Sequence, residues 1–314
     1  MKCLILAGGF ATRLWPFTEK RAKPLLPIAG KPLLSHTLDF LPKDIPIIIS
    51  TNQAYARDFA EWASGFPERK IEIFVEDAHS DDAKPGALAG LSLAIRKLKL
   101  ESNLLLIAGD NYFGFDLRKF IGVYEGKPLL ACHDIGDKDE ARKFGVVVEK
   151  RGKVVEFQEK PENPKSTLVS AGCYVLPARL LPSVVEYARE YADNLGGLFE
   201  YFLRNGEDVR AFSFREAWFD IGSFGAYLQA HKFLLGSKQI LGQGITRDNT
   251  QLRGAIVIGD NVKLKDCTII DSVVLDDCVL EDCVIKNSVI DQGCHLRGLD
   301  LDYKIIRAGV RISV

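Results

Sequence analysis

The sequence predicts an α/β fold, a mostly parallel sheet with flanking helices, followed by a short parallel β-solenoid. Residues 1–235 alternate short β-branched runs with amphipathic segments. From about Ala255 the texture changes to brief apolar steps broken by a polar turn every five or six residues. A third observation points to a ligand. The stretches "LAGGF" and "IAGDN" each follow an apolar run directly, and open α/β sheets bind ligands beyond the carboxyl ends of their strands.

The first region contains "KCLILA", "IPIIIS", "KIEIFVE" and "NLLLIAG", each followed by a loop and a helical pattern. Such alternation is the mark of βα units on a parallel sheet. Trp62 stands at helical spacing from Phe59 and is expected in the core. Residues 236–254 are rich in glycine and polar side chains and read as a linker, with domains at 1–235 and 255–314. In the last region "CTIIDSVVLDDCVL" from Cys267 matches "CVIKNSVIDQGCHL" from Cys283 at a spacing of 16. A repeat this short implies a solenoid of about three coils whose equivalent side chains stack. Cys267 then lies over Cys283 and Cys278 over Cys294, as small buried ladders that pack rather than bind metal or undergo redox chemistry.

The 314 residues carry a net charge of −1, with charges of both signs spread along the chain. This excludes the basic excess that nucleic acid or an anionic membrane demands. The start, "MKCLILAGGF", is too short an apolar stretch for a signal peptide, and no run reaches the ~18 residues of a membrane span. Seven cysteines fit neither C-x-x-C nor a zinc pattern, so reduced thiols and a cytoplasmic location are expected.

Four stations carry chemistry. The first is "LAGGFATRLWP" with "KPLLP" beyond it. Leu6, Ala7, Gly8 and Gly9 offer backbone N–H groups to a phosphate, Arg13 a planar fork and Lys23 a point charge. The second is "IAGDNYFGFDL", where Asp110 is placed either to hold Mg²⁺ or to cap the following helix. The third, "EFQEKPENPKS", brings Glu159 and Lys160. The fourth, "EAWFDIGS", sets Asp220 among apolar neighbours, where it needs a partner such as a shared metal or a helix N-terminus.

These stretches, with "FGVVVE", occur in the order found in the sugar-nucleotide pyrophosphorylases, and residues 1–235 resemble the glucose-1-phosphate thymidylyltransferase branch of that family. The C-terminal repeat resembles the left-handed β-helix of its longer members. The resemblance implies a Rossmann-like catalytic domain that uses Mg²⁺, a nucleoside triphosphate and a sugar 1-phosphate; the solenoid's exposed coil ends need capping or a partner, so a homo-oligomer is expected. Arg13 would meet the departing pyrophosphate and Lys23 the triphosphate, while Asp110 and Asp220 would hold the metal. Lys160 would bind the sugar phosphate, and Asn111, Gly145, Glu159 and Gly172 the sugar. Gly86 would face the base.

Two departures stand out. Ala11 occupies the place of the family's third glycine, so the loop either avoids a positive φ there or approaches its ligand less closely. Asp81 falls near the place of the glutamine that reads thymine, and an ionised carboxylate only accepts hydrogen bonds. dTTP is nevertheless placed ahead of UTP and GTP. A non-catalytic relative would be free to lose the charged stations, all of which are retained. An acyl-transfer role for His295 is disfavoured by the small number of coils.

Overall fold

The computed structural model describes residues 1–9, 11–76 and 86–314. Its main sheet has nine strands: β1 (Lys2–Leu6), β2 (Ile47–Asn52), β3 (Ile71–Glu76), β4 (Leu104–Ala108), β5 (Leu129–Asp134), β6 (Gly145–Lys150), β7 (Lys153–Glu159), β8 (Leu168–Leu176) and β9 (Arg210–Phe214). They lie in the order β3-β2-β1-β4-β8-β5-β9-β7-β6.

The first four strands are parallel, as βα crossovers require. Cys3, Leu4 and Ile5 of β1 are buried without alternation, the pattern of a strand covered on both faces. The helix Ala87–Lys97 buries Leu88, Leu91, Ala94 and Ile95 along one stripe in the same core as Leu4 and Leu106. Beyond β4 the sheet becomes mixed, although β9 still runs parallel to β5. There β8 runs antiparallel to β4 and β5, and β6 and β7 form a hairpin through Arg151 and Gly152. So tight a turn can join only antiparallel neighbours. Outside the sheet, Asn111–Phe113 and Trp218–Asp220 pair as an antiparallel ribbon.

The chain divides into two compact units. One comprises Met1–Phe10, Ala22–Pro24 and Leu34–Asp220, and the other Ala11–Arg21, Leu25–Leu33 and Ile221–Val314.

The second unit contains a left-handed β-helix of three parallel sheets, with five, five and four strands. Its coils begin earlier and are more numerous than expected. The supposed linker carries the strands Gln239–Leu241, Thr246–Asp248 and Gln251–Arg253, which pair with the next coil. This first coil is offset by 17 residues, as Gln239 against Ile256, whereas Val257 meets Val273 after 16. The self-match at 16 therefore stops short of it.

Leu264, Leu280 and Leu296 stack inside, as do Ile269 and Ile285. At the corners, left-handed residues recur coil after coil, as in Asn261 and Asp277, or Asp271 and Asn287. Short polar side chains tolerate that conformation best after glycine, which accounts for the polar turns. The four repeat cysteines are free and buried, and Cys278 Sγ donates to Asp291 O at 3.1 Å.

Candidate active site

The glycine loop grows out of β1, where Ala7 N–H donates to Ser50 O at 2.7 Å and Asn52 Nδ2 to Gly8 O at 2.9 Å. The loop is thus tied to the end of β2. Gly8 is closely approached, because a Cβ there would stand 3.2 Å from the carboxyl oxygens of Glu76, whereas Gly9 faces open space. Glu76, at the end of β3, is buried and accepts from Ser50 Oγ at 2.6 Å. Burial pushes its carboxyl above the usual range, partly offset by that hydrogen bond. Its place beside the loop was hidden in the sequence, since "KIEIFVE" reads only as a strand.

Lys23 and Asp110 belong to the same unit as this loop. Lys23 Nζ lies 2.7 Å from Asp110 Oδ2, and Asn111 Nδ2 donates to Asp110 Oδ1 at 2.8 Å. Asp110 does not cap the following helix, because Asp116 caps the helix Leu117–Gly122 by accepting from Arg118 N–H. Asp220 pairs across the ribbon with Asn111, the neighbour of Asp110.

These two carboxylates fit Mg²⁺, a hard ion that takes one or two carboxylates and fills its shell with phosphate and water. No group of three or more His, Cys, Asp and Glu side chains suited to a metal occurs among the described residues.

Gly172 has a φ of +76° within an irregular stretch of β8. A Cβ there would crowd Ala108 Cβ at 3.0 Å and lie 3.5 Å from Asn111 Nδ2, and the positive φ itself favours glycine. At the other end of the unit's site, Glu159 stands opposite Gly145 in the β7–β6 hairpin. A Cβ at Gly145 would press on the Phe157 ring and lie 3.2 Å from Glu159 Oε2. Glu159 is raised above the ordinary carboxyl range by burial, an effect the Lys160 ammonium at 3.7 Å opposes. Lys160 itself is exposed and left-handed, at φ +43°, with its N–H bonded to Phe144 O. Glu200, unremarked in the sequence, fixes the strand end by accepting the Glu159 N–H at 3.1 Å.

Arg13 belongs to the second unit, exposed on a 3₁₀ turn at Thr12–Leu14. The turn starts from Ala11, which adopts φ +49° rather than avoiding the glycine-like conformation. Its carbonyl accepts from Leu14 N–H at 3.0 Å and Thr18 Oγ1 at 2.9 Å, bonds that offset the ~1–2 kcal/mol strain of a left-handed alanine. Gly86 starts the helix Ala87–Lys97 with φ +87°. Asp81 lies outside the described residues.

Trp62, expected in the core, packs against Phe66 and donates its indole N–H to Ser35 Oγ at 2.9 Å.

Comparison with known proteins finds several relatives. The chain is 28% identical over 261 residues to the bifunctional protein GlmU of Methanocaldococcus jannaschii, covering 82% of this chain and 60% of that one. It thus spans about 60% of that relative's length. A glucose-1-phosphate thymidylyltransferase of Streptomyces griseus is 24% identical, with 100% of this chain and 89% of the relative covered. Among solved structures, a provisionally named glucose-1-phosphate thymidylyltransferase from Bacillus anthracis, crystallised with a sucrose, shares the fold. Its TM-score is 0.63 at 24% identity, over 74% of this chain and 94% of that one. Residues 2–237 match the family model described as nucleotidyl transferase, and the chain belongs to that family.

Proposed function

We propose that this chain catalyses nucleotidyl transfer, in which an oxygen of a hexose 1-phosphate attacks the α-phosphorus of a nucleoside triphosphate and pyrophosphate leaves. The observation that supports it is the convergence of Lys23 and Asn111 on Asp110, with Asp220 paired to Asn111, beyond the carboxyl ends of β1 and β4. Membership of the nucleotidyl transferase family supports the same reading.

The reaction asks little of acid–base chemistry. A phosphate monoester is already a dianion near neutral pH, with a second pKa of about 6, so its oxygen needs no general base. The barrier lies in bringing anions together and neutralising charge on the leaving group. Lys23 serves the triphosphate, Arg13 the departing pyrophosphate and Lys160 the sugar phosphate. Asn111, Gly145, Glu159 and Gly172 bind the sugar, and Leu6, Ala7, Gly8, Gly9 and Gly86 line the nucleotide. Mg²⁺ bound by Asp110 and Asp220 would supply charge neutralisation at the α-phosphate.

For the substrates, dTTP and glucose 1-phosphate lead, with UTP and GTP behind. The full-length relationship to the Streptomyces griseus protein supports that order. Asp81 and the buried Glu76 beside the glycine loop are the candidates for reading the base.

The test is pyrophosphate release with Mg²⁺ over a matrix of nucleoside triphosphates and hexose 1-phosphates. Turnover is expected for dTTP with glucose 1-phosphate. No turnover with any pair contradicts the proposal.

A further inference from the structure

We propose that Trp218 is a positioning residue that locks the Asn111 amide in one orientation and thereby orients the Asp110 carboxylate. The inference rests on the reading of Asp110 as a metal-binding carboxylate.

The geometry is a relay of three side chains. Trp218 Nε1 donates to Asn111 Oδ1 at 2.9 Å, and Asn111 Nδ2 donates to Asp110 Oδ1 at 2.8 Å. An indole N–H only donates and an ionised carboxylate only accepts. A flipped Asn111 amide would set its NH₂ against the indole N–H and its carbonyl oxygen against the carboxylate. Both contacts would be repulsive. Asn111 is 6% exposed, so water has little access to rescue the flipped state.

Asp110 is consequently held from two sides, by Asn111 at Oδ1 and by Lys23 at Oδ2. The donor at one end of the relay is itself confined. The Trp218 ring packs edge-on against Phe144 at 5.3 Å and beside His133 at 5.8 Å. On the far side of the amide, Gly172 lies alongside, where an added Cβ would stand 3.5 Å from Nδ2. The two ribbon strands bring the pieces together, since Trp218 pairs with Phe113 and Asp220 with Asn111. Trp218 and Asp220, two residues apart, share one face of the ribbon, and the indole reaches diagonally to Asn111.

A partner that orients a metal-binding group typically changes metal affinity or activity by 10–100-fold when removed. Trp218→Phe keeps an aromatic ring and removes the N–H. It should stay folded, weaken Mn²⁺ binding to the substrate-free protein about tenfold by electron paramagnetic resonance, and lower kcat at least tenfold. Asn111→Asp retains an acceptor for the indole and removes the donor to Asp110. It should show a comparable loss, and Trp218→Phe added to it should cost no more than about twofold. Unchanged Mn²⁺ affinity in both single variants, or fully multiplicative losses in the double variant, overturns the proposal. Mn²⁺ titration needs no turnover, so its outcome stands even if no substrate pair reacts. Should Trp218→Phe fail to fold, Asn111→Asp with wild-type Mn²⁺ affinity overturns the proposal by itself.

Discussion

Lys23 and Asp110, 87 positions apart in the chain, meet at 2.7 Å between Nζ and Oδ2. The ammonium is largely enclosed while the carboxylate keeps 37% of its side-chain surface exposed. A charge held this way is poised to exchange partners, from the lysine alone to an incoming phosphate and its cation.

Removing the carboxylate charge therefore tests the site without testing the fold. Asp110→Asn should lower kcat by at least 100-fold, the scale of a lost electrostatic contact in a transition state. Its melting temperature should stay within a few degrees of wild type, because the side chain is partly exposed. Near-normal turnover would remove Asp110 from the mechanism.

Gly145 offers a test of the sugar end. Gly145→Ala would force a methyl against the Phe157 ring and toward Glu159 Oε2, 3.2 Å from the new atom. KM for the hexose 1-phosphate should rise about tenfold, on the order of 1.4 kcal/mol, with KM for the nucleotide unchanged. Initial-rate kinetics with each substrate varied in turn would separate the two, and an equal rise in both would argue against a sugar-specific role.

His231 links stability to pH within the second unit. It is fully buried, its Nδ1 accepts the Ala29 N–H at 3.3 Å, and burial lowers its pKa to about 4. The unfolded side chain titrates near 6.5, so the unfolded chain binds the proton first as pH falls. The stabilisation is complete above about pH 6.5 and is lost as pH drops toward 4, by roughly 3 kcal/mol in all. Urea unfolding at pH 7 and pH 4.5 should show a smaller difference for His231→Gln than for wild type. An equal difference would mean that another group carries the effect.

The repeat cysteines should behave as packing residues. Cys278 occupies the coil position that Val262 and Val310 hold elsewhere, each just ahead of a paired strand. Cys278→Val should change stability by less than about 1.5 kcal/mol, as volume-conserving core swaps do, and leave activity intact. Loss of a bound metal or of turnover would restore a chemical role for the thiol.

What the sequence revealed depended on whether the information was local. The parallel strands, the solenoid and the charged stations are legible because each has its own period or residue type, as in "KCLILA" or the 16-residue match from Cys267. Strand order beyond β4 is not, since it is set by long-range pairing of β8 with β4 and β5. The first coil escaped notice through one inserted residue. Trp218 lay in a motif already singled out for Asp220, yet its partner Asn111 is 107 positions away and only the ribbon brings them together. The positive φ of Ala11 is not legible locally, because the Thr18 hydroxyl that bonds its carbonyl stands seven positions on.

The central claim is that the bond formed joins the sugar phosphate to the α-phosphorus. The protein can be given hexose 1-phosphate, Mg²⁺ and nucleoside triphosphate labelled with ³²P at either the α or the γ position, and the products separated. The α label should appear in a nucleoside diphosphate sugar and the γ label in pyrophosphate. Recovery of γ label in the sugar, or as inorganic phosphate with the sugar unchanged, would contradict that claim.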